Sequence, residues 1–508
     1  MPDNRIKHLV VVMMENRSFD HLLGFLQSPD YPINGLTGTE SNPDTANKPI
    51  RVSKDAQVSG DLLPDPGHSF HDTAVQIYGS DPGGGPLPPP TMSGFVKNYF
   101  EKSKNVARSA RIMKCFDPAR VPIITRLAKE YCVCDNWFSS IPGPTLCNRA
   151  YAHAATSIGR VDTGANWVKL SKTVYELLRQ FGVTAKVYYN DFTMCMTVPG
   201  MMAAQNLYFG KFEDFVHDCQ NNNLPTYAFI EPRYYSTDTP AFLPAQDQHP
   251  DHNVWAGEAF IRNVYSAVTS NPDTWKSTLL VIIYDEHGGT YDHVIPPATV
   301  NPDGMNCTDP PFDFTRLGIR VPAILISPFI KRGTIDHTVY DHASVVATAR
   351  KLYLADPANN FLTLRDKQAN TFEANVNLTE PRTDIVNFLS PALREFHESA
   401  AMPMYARDEG GLTLSEFQQS LVLQAAELEK ALPRKLRTGI KPQSIRTERE
   451  AAAYVHRVTE AVRISKEPAR KAAAKHKALK KAAAKQKAAA KKKAAAKKAG
   501  AKKRARKS

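Results

Sequence analysis

Two apolar runs in this chain are unbroken and of strand length, His8-Leu9-Val10-Val11-Val12-Met13-Met14 and Leu279-Leu280-Val281-Ile282-Ile283-Tyr284. Unbroken runs, as opposed to alternating ones, mark strands covered on both faces. The pattern predicts strands at 8–14, 185–189, 226–230, 278–284 and 321–326. Between them, helical spacing predicts helices at 19–27, 120–131, 172–181, 255–269 and 342–354. Strands separated by helices imply βαβ units and an α/β fold: a mostly parallel central sheet with helices on both faces. Such sheets gather ligands at the carboxyl ends of their strands, which says where chemistry is to be sought.

Residues 80–94 open with Ser80-Asp81-Pro82-Gly83-Gly84-Gly85-Pro86 and are expected to form a surface loop, a lid or a rim. After about residue 395 the pattern changes. Thr413 and Glu416 have capping-box spacing ahead of a helix running to about Leu432. From about 450 the sequence turns rich in Ala, Lys and Arg, with no apolar stripe recognised, and a disordered basic tail is expected. The expected division is a catalytic domain over 1–395, a helical extension over 396–440 and the tail over 441–508.

Charge belongs to that tail. From Pro468 onward there are 18 Lys or Arg and no Asp or Glu, so the formal +13 of the whole chain leaves −5 on residues 1–467. The body has no net charge suited to a polyanion. The tail is suited to one, either an anionic membrane surface or nucleic acid. Seven scattered cysteines in a chain of 508 residues require no disulfide scaffold. Arg5 and Lys7 precede an apolar run too short for a secretory signal and closed by Glu15-Asn16, so location is left open between the cytoplasm and non-classical export. No run is long enough to span a bilayer.

Four clusters carry chemistry. Glu15-Asn16-Arg17-Ser18-Phe19-Asp20-His21 follows the first strand, where Glu15 and Asn16 offer hard oxygen ligands and Ser18 or Asp20 could cap the next helix. Asp285-Glu286-His287-Gly288-Gly289, with Asp292 and His293, follows the strand ending at Tyr284. Adjacent carboxylates at a buried strand end are costly without a cation. Pro142-Gly143-Pro144 fixes a turn ahead of a helix that opens at Thr145 and carries Asn148 and Arg149. A hydroxyl there is either an N-cap or a nucleophile set among free backbone N–H groups. Finally His68, His71, His249, His252 and His342 lie mostly in Asp/Pro/Gly-rich segments, where imidazole can ligate metal, hold a phosphoryl oxygen or protonate a leaving group.

These clusters follow one another as in the bacterial phospholipase C and acid phosphatase A family, within the alkaline-phosphatase-like superfamily. The resemblance rests on Glu-Asn-Arg-Ser-Phe-Asp-His at 15–21, Met-Ser-Gly-Phe-Val at 92–96, Pro-Gly-Pro-Thr at 142–145 with Asn148-Arg149, and Tyr-Asp-Glu-His-Gly-Gly at 284–289. Tyr340-Asp341-His342-Ala343-Ser344-Val345 resembles its late motif, and the likeness spans about 5–395. It implies an alkaline-phosphatase-like fold and one divalent metal ion held by Glu15, Asn16, Asp285 and Glu286. It also implies Thr145 as nucleophile, with His68, His249 and His287 as pocket histidines and Asn148 and Arg149 near the phosphate. His252 and His293 match less closely. Cys147 departs from the family's usual proline before the Asn.

The implied activity is phosphoester hydrolysis, of the phospholipase C type on phospholipids. The alternatives are an acid phosphatase acting on monoesters and, more remotely, an inactive nucleic-acid-associated protein.

Overall fold

The computed structural model describes residues 5–388, apart from 84, 164–169, 171 and 238–242, and residues 413–465. Eight strands form the central sheet: β1 (His8–Met14), β2 (Cys132–Cys134), β3 (Ala185–Tyr189), β4 (Phe209–Lys211), β5 (Tyr227–Glu231), β6 (Thr278–Tyr284), β7 (Ala323–Ile326) and β8 (Thr334–Asp336). Their order is β8-β2-β7-β6-β1-β5-β3-β4. All neighbours run parallel except β7, which is antiparallel to both β6 and β2. The sheet is thus mostly parallel, as expected, with one reversed strand that apolar content alone could not reveal. β1 and β6, the longest strands, lie side by side with Met14 opposite Tyr284. That register brings the segments starting at Glu15 and Asp285 to the same sheet edge.

Among the helices are α1 (Phe19–Leu23), α2 (Pro122–Glu130), α3 (Thr145–Ala154), α4 (Val174–Gln180), α5 (Phe212–Gln220), α6 (Val254–Thr269), α7 (Ala343–Tyr353) and α8 (Glu416–Lys430). They cover the sheet in two groups. α5, α6 and α2 pack together in one, and α3, α4 and α7 in the other. The predicted helix over 19–27 is split, because α1 passes into a 3-10 turn at Gly24–Leu26. A Cβ on Gly24 would come within 2.8 Å of Leu36, so packing there needs glycine. The described part of 80–94 contains no helix or strand.

The C-terminal region departs from expectation in two places. α8 is capped by Ser415 and Gln418, not by Thr413 and Glu416; Thr413 instead bridges to Thr447. Residues 448–465, assigned to the tail, form a helix whose Ala451, Tyr454, Val455, Val458 and Val462 are buried. Those positions are a helical stripe that the Ala/Lys-rich composition further on had masked. Of the expected tail and extension, 466–508 and 396–412 lie outside the described residues. Among the described residues no helix is long and apolar enough to cross a membrane, and the seven cysteines form no disulfide.

Candidate active site

Thr145 is the first residue of α3 and almost fully buried. The N-cap is Pro144, and no side chain caps the helix. The Thr145 hydroxyl therefore does no capping work. It donates to Asn16 Oδ1 at 3.2 Å, tying the helix start to the residue after Glu15. The turn ahead is shaped by Asn148, whose Oδ1 accepts from Ile141 N–H at 3.0 Å and whose Nδ2 donates to Gly143 O at 2.8 Å. Asn148, placed near phosphate by resemblance, spends its side chain on the loop that presents Thr145.

Asn16 has φ of 54° and occupies the left-handed region that Asn tolerates. Its N–H donates to Asp285 Oδ1 at 3.0 Å. Gly288 explains how the loops come so close, because a Cβ there would stand 2.1 Å from Asn16 O and the residue has φ of 60°. The glycine serves the approach of one loop to another.

Arg149 corrects another expectation. Its guanidinium is buried and donates to Glu15 Oε1 at 2.6 Å, Asp285 Oδ2 at 3.1 Å and Glu231 Oε2 at 2.8 Å. Its Nη2 also points at Met13 O and Met14 O. Committed to three carboxylates, it offers no free fork to a phosphate. Tyr234 and Phe417 lie over it, with ring centroids 5.2 and 5.5 Å from the guanidinium carbon. Glu231 was overlooked in the sequence, although it closes an apolar strand just as Glu15 follows β1 and Asp285 follows β6.

Burial, then the nearby Asp285 charge, pushes the Glu15 carboxyl well above its ordinary range, and burial raises Asp285. Burial would also raise Glu286, but His68 and the His287 hydrogen bond bring it net below its usual value. Among the buried polar atoms without a partner are Glu15 Oε2, Asn16 Nδ2 and Glu286 Oε1. Unsatisfied carboxylate oxygens in a buried site are costly, and a divalent cation is the group that would satisfy them. The donor set fits such an ion, although Arg149 already takes one oxygen each of Glu15 and Asp285.

Among the described residues three groups of ligand-type side chains have their ligand atoms within 4.8 Å of one another, and Glu15, Asp285 and Glu286 do not form one of them: the groups are Asp65–His68–His249, Asp20–Asp292–His293 and Asp251–His252–Glu448. The second is compensated by Arg320, which donates to Asp20 and Asp292 at 2.9 Å each, and so Asp292 and His293 stand apart from the Thr145 centre.

His68 and His249 face each other with ring centroids 6.1 Å apart. His68 lines a cavity of about 220 Å³ together with Asp65, Lys102, Leu414 and Glu416, among others. Burial alone would lower both histidines. Glu286 and Asp65 raise His68, while Asp65 and Asp251 raise His249 to about 9. His249 Nδ1 donates to Asp251 Oδ1 at 2.5 Å, leaving its Nε2 buried without a hydrogen-bond partner, 3.6 Å from Asp65.

His287 is different. Its Nε2 meets Gln76 Oε1 at 2.7 Å and its Nδ1 lies 3.2 Å from Glu286 Oε2, so both nitrogens are engaged and it orients Glu286. His342 donates from Nε2 to Asp285 O at 2.6 Å and accepts from Trp137 at Nδ1. Burial lowers it to about 4, consistent with that neutral form. His71 lies on the surface paired with Asp81.

The sheet gathers polar groups at the carboxyl ends of parallel strands, and the family match makes the chain a hydrolase of phosphoric esters. The chain belongs to the phosphoesterase family, whose model it matches over residues 6–354. It is 37% identical over 451 residues to non-specific phospholipase C3 of Arabidopsis thaliana, covering 84% of this chain and 82% of that one. Non-specific phospholipase C6 of the same plant is 39% identical over 449 residues, covering 83% and 81%. Phospholipase C B of Mycobacterium tuberculosis is 27% identical over 433 residues, covering 74% and 78%. A solved protein of the alkaline phosphatase superfamily from Vibrio parahaemolyticus aligns over 70% of this chain and 67% of its own at 11% identity, with TM-score 0.32, and is too distant to bear on the site.

Proposed function

We propose that the protein is a phospholipase C-type phosphodiesterase that uses Thr145 as nucleophile. The observation that carries this reading is the Thr145 hydroxyl itself, held at a helix N-terminus by Asn16 and unused for capping. Relatives named phospholipase C favour the diester over the monoester reading.

Thr145 Oγ1, its proton released to water, attacks phosphorus, and the bond from phosphorus to the glycerol oxygen breaks. His249 gives its Nε2 proton to the departing alkoxide, freeing diacylglycerol. The neutral His249 then takes a proton from water, which attacks the phosphorylated threonine. The bond from phosphorus to Thr145 Oγ1 breaks, headgroup phosphate leaves, and Oγ1 takes back from water the proton it released in the first step. The free N–H groups at the start of α3 stabilise charge on the phosphoryl oxygens. His68 holds the same oxygens from the cavity side. Glu15, Asn16, Asp285 and Glu286 would hold one divalent cation, which would supply a lowered pKa to the Thr145 hydroxyl and screening to the phosphoryl charge.

The test is turnover of phosphatidylcholine against a phosphomonoester by purified protein, with and without chelator. Turnover of the diester should exceed that of the monoester and fall to background after dialysis against chelator. Returning a divalent ion at a hundred times its Kd should restore it and raise folding stability by about 2.7 kcal/mol. A melting temperature indifferent to every divalent ion would remove the metal from the reading.

The basic segment 468–508 is proposed as an electrostatic tether to anionic membranes, with nucleic acid as the competing partner. Its polycationic composition supports this, because 18 positive charges attract either surface. A chain ending at Ser465 should turn over a soluble substrate as the full chain does. It should also lose binding to anionic vesicles at low salt. Equal vesicle binding by both chains would end the tether proposal.

A further inference from the structure

The family match ends at residue 354, yet the catalytic centre is closed by residues far beyond it. Phe417 on α8 lies over Arg149 and meets Tyr234 edge-on at 5.0 Å. Gln418 donates to Tyr234 O and to Glu448 Oε1, both at 2.7 Å. Glu448 is fully buried. Its Oε1 accepts from His252 Nε2 at 2.6 Å, and its Oε2 accepts from Ser236 N–H at 3.2 Å.

His252 in turn belongs to the loop that carries His249. Its Nδ1 donates to Asp247 Oδ1 at 2.6 Å, and the same oxygen accepts from His249 N–H at 3.2 Å. Asp247 O accepts from Glu15 N–H at 2.8 Å, fastening the loop to the end of β1. Asp251, which orients His249 through Nδ1, stands only 3.8 Å from His252 Nε2. His252 therefore has two possible acceptors on that nitrogen, and Glu448 is the one it uses.

We infer that Glu448 is a positioning residue for the leaving-group acid: by holding His252 away from Asp251, it leaves Asp251 to orient His249. The inference rests on the reading of His249 as that acid. Charges support it. Burial would lower His252, but Asp247, Asp251 and Glu448 raise it well above its ordinary value, so a cation is shared among three carboxylates. With glutamine in place of Glu448, the imidazolium turns to the next carboxylate, Asp251, and Asp251 is drawn off His249. The proton donor is then present but misdirected, and a donor off its line loses most of its benefit.

The experiment compares Glu448→Gln, Glu448→Asp and His249→Asn in the full-length enzyme on two diesters of phosphocholine. One carries a glycerol leaving group, which needs protonation; the other carries p-nitrophenol, which leaves without it. His249→Asn should lose about a hundredfold in kcat/KM on the glycerol ester and only a few-fold on the p-nitrophenyl ester, because kcat/KM ends at leaving-group departure and leaves out the hydrolysis of the phosphorylated threonine that both substrates share. Glu448→Gln should show the same inequality in kcat/KM in weaker form, about tenfold against less than threefold. Glu448→Asp, which keeps the charge, should recover part of the loss. It also carries the test if the glutamine variant does not fold. Equal losses on both substrates for the Glu448 variants, beside a selective loss in His249→Asn, would show a merely structural Glu448 and overturn the inference alone. Equal losses in His249→Asn would overturn the acid assignment, and the inference with it.

Discussion

Thr145→Val turns over phosphatidylcholine at less than about one ten-thousandth of the wild-type rate, because valine has no hydroxyl to attack phosphorus. Valine keeps the β-branched shape and the position at the start of α3. The only hydrogen bond lost is the one to Asn16 Oδ1, and no helix cap is removed. The melting temperature should therefore stay close to wild type, which separates lost chemistry from lost fold. Acid quenching of wild-type turnover should trap a phosphorylated peptide containing Thr145, and the same peptide from the variant should be unmodified. Activity above about a tenth of wild type would mean that water attacks phosphorus directly and that Thr145 only lines the site.

Much of the sheet was legible because its central strands are covered on both faces and so read as unbroken apolar runs. β2, β4 and β8 are three residues each and carry too short a pattern to detect. The reversal of β7 left no trace, since a buried strand has the same composition in either direction. The order in which Glu15, Thr145 and Asp285 enter the site was legible through strand ends and a helix start. Partner choice was not. Whether Arg149 binds phosphate or three carboxylates depends on Glu231, which is 82 residues away in sequence. His287 looked like a pocket histidine by motif, but Gln76 and Glu286 occupy both its nitrogens. Glu448 was the least accessible. It sits where composition is shifting towards a polycation, and its partner His252 lies 196 residues earlier.

The Arg149 arrangement makes the strongest prediction about stability. Arg149 is buried, as are Glu15, Asp285 and Glu231, the three carboxylates it pairs. Removing the shared partner of a buried ionic group costs about 3–5 kcal/mol, because the remaining charges are left without compensation. Arg149→Met, which keeps an unbranched stem but removes the guanidinium beneath Tyr234 and Phe417, should lose that much stability in chelator at pH 8. The loss should shrink towards pH 5. Glu15 already sits well above its ordinary range, held there by burial and Asp285, and Arg149 is the neighbour that pulls it down. Without Arg149 the folded Glu15 keeps its proton to higher pH still, whereas the unfolded chain releases it near the ordinary value of about 4.3. Both folded proteins hold that proton above the unfolded value and so lose stability as pH rises, but the variant goes on losing it to higher pH, and the deficit opens there, above the wild-type folded pKa. Denaturant melts of both proteins at pH 5, 6.5 and 8 check the sign and the size. A deficit that stays constant across that range, or widens towards acid, would show that the carboxylates are not what Arg149 stabilises.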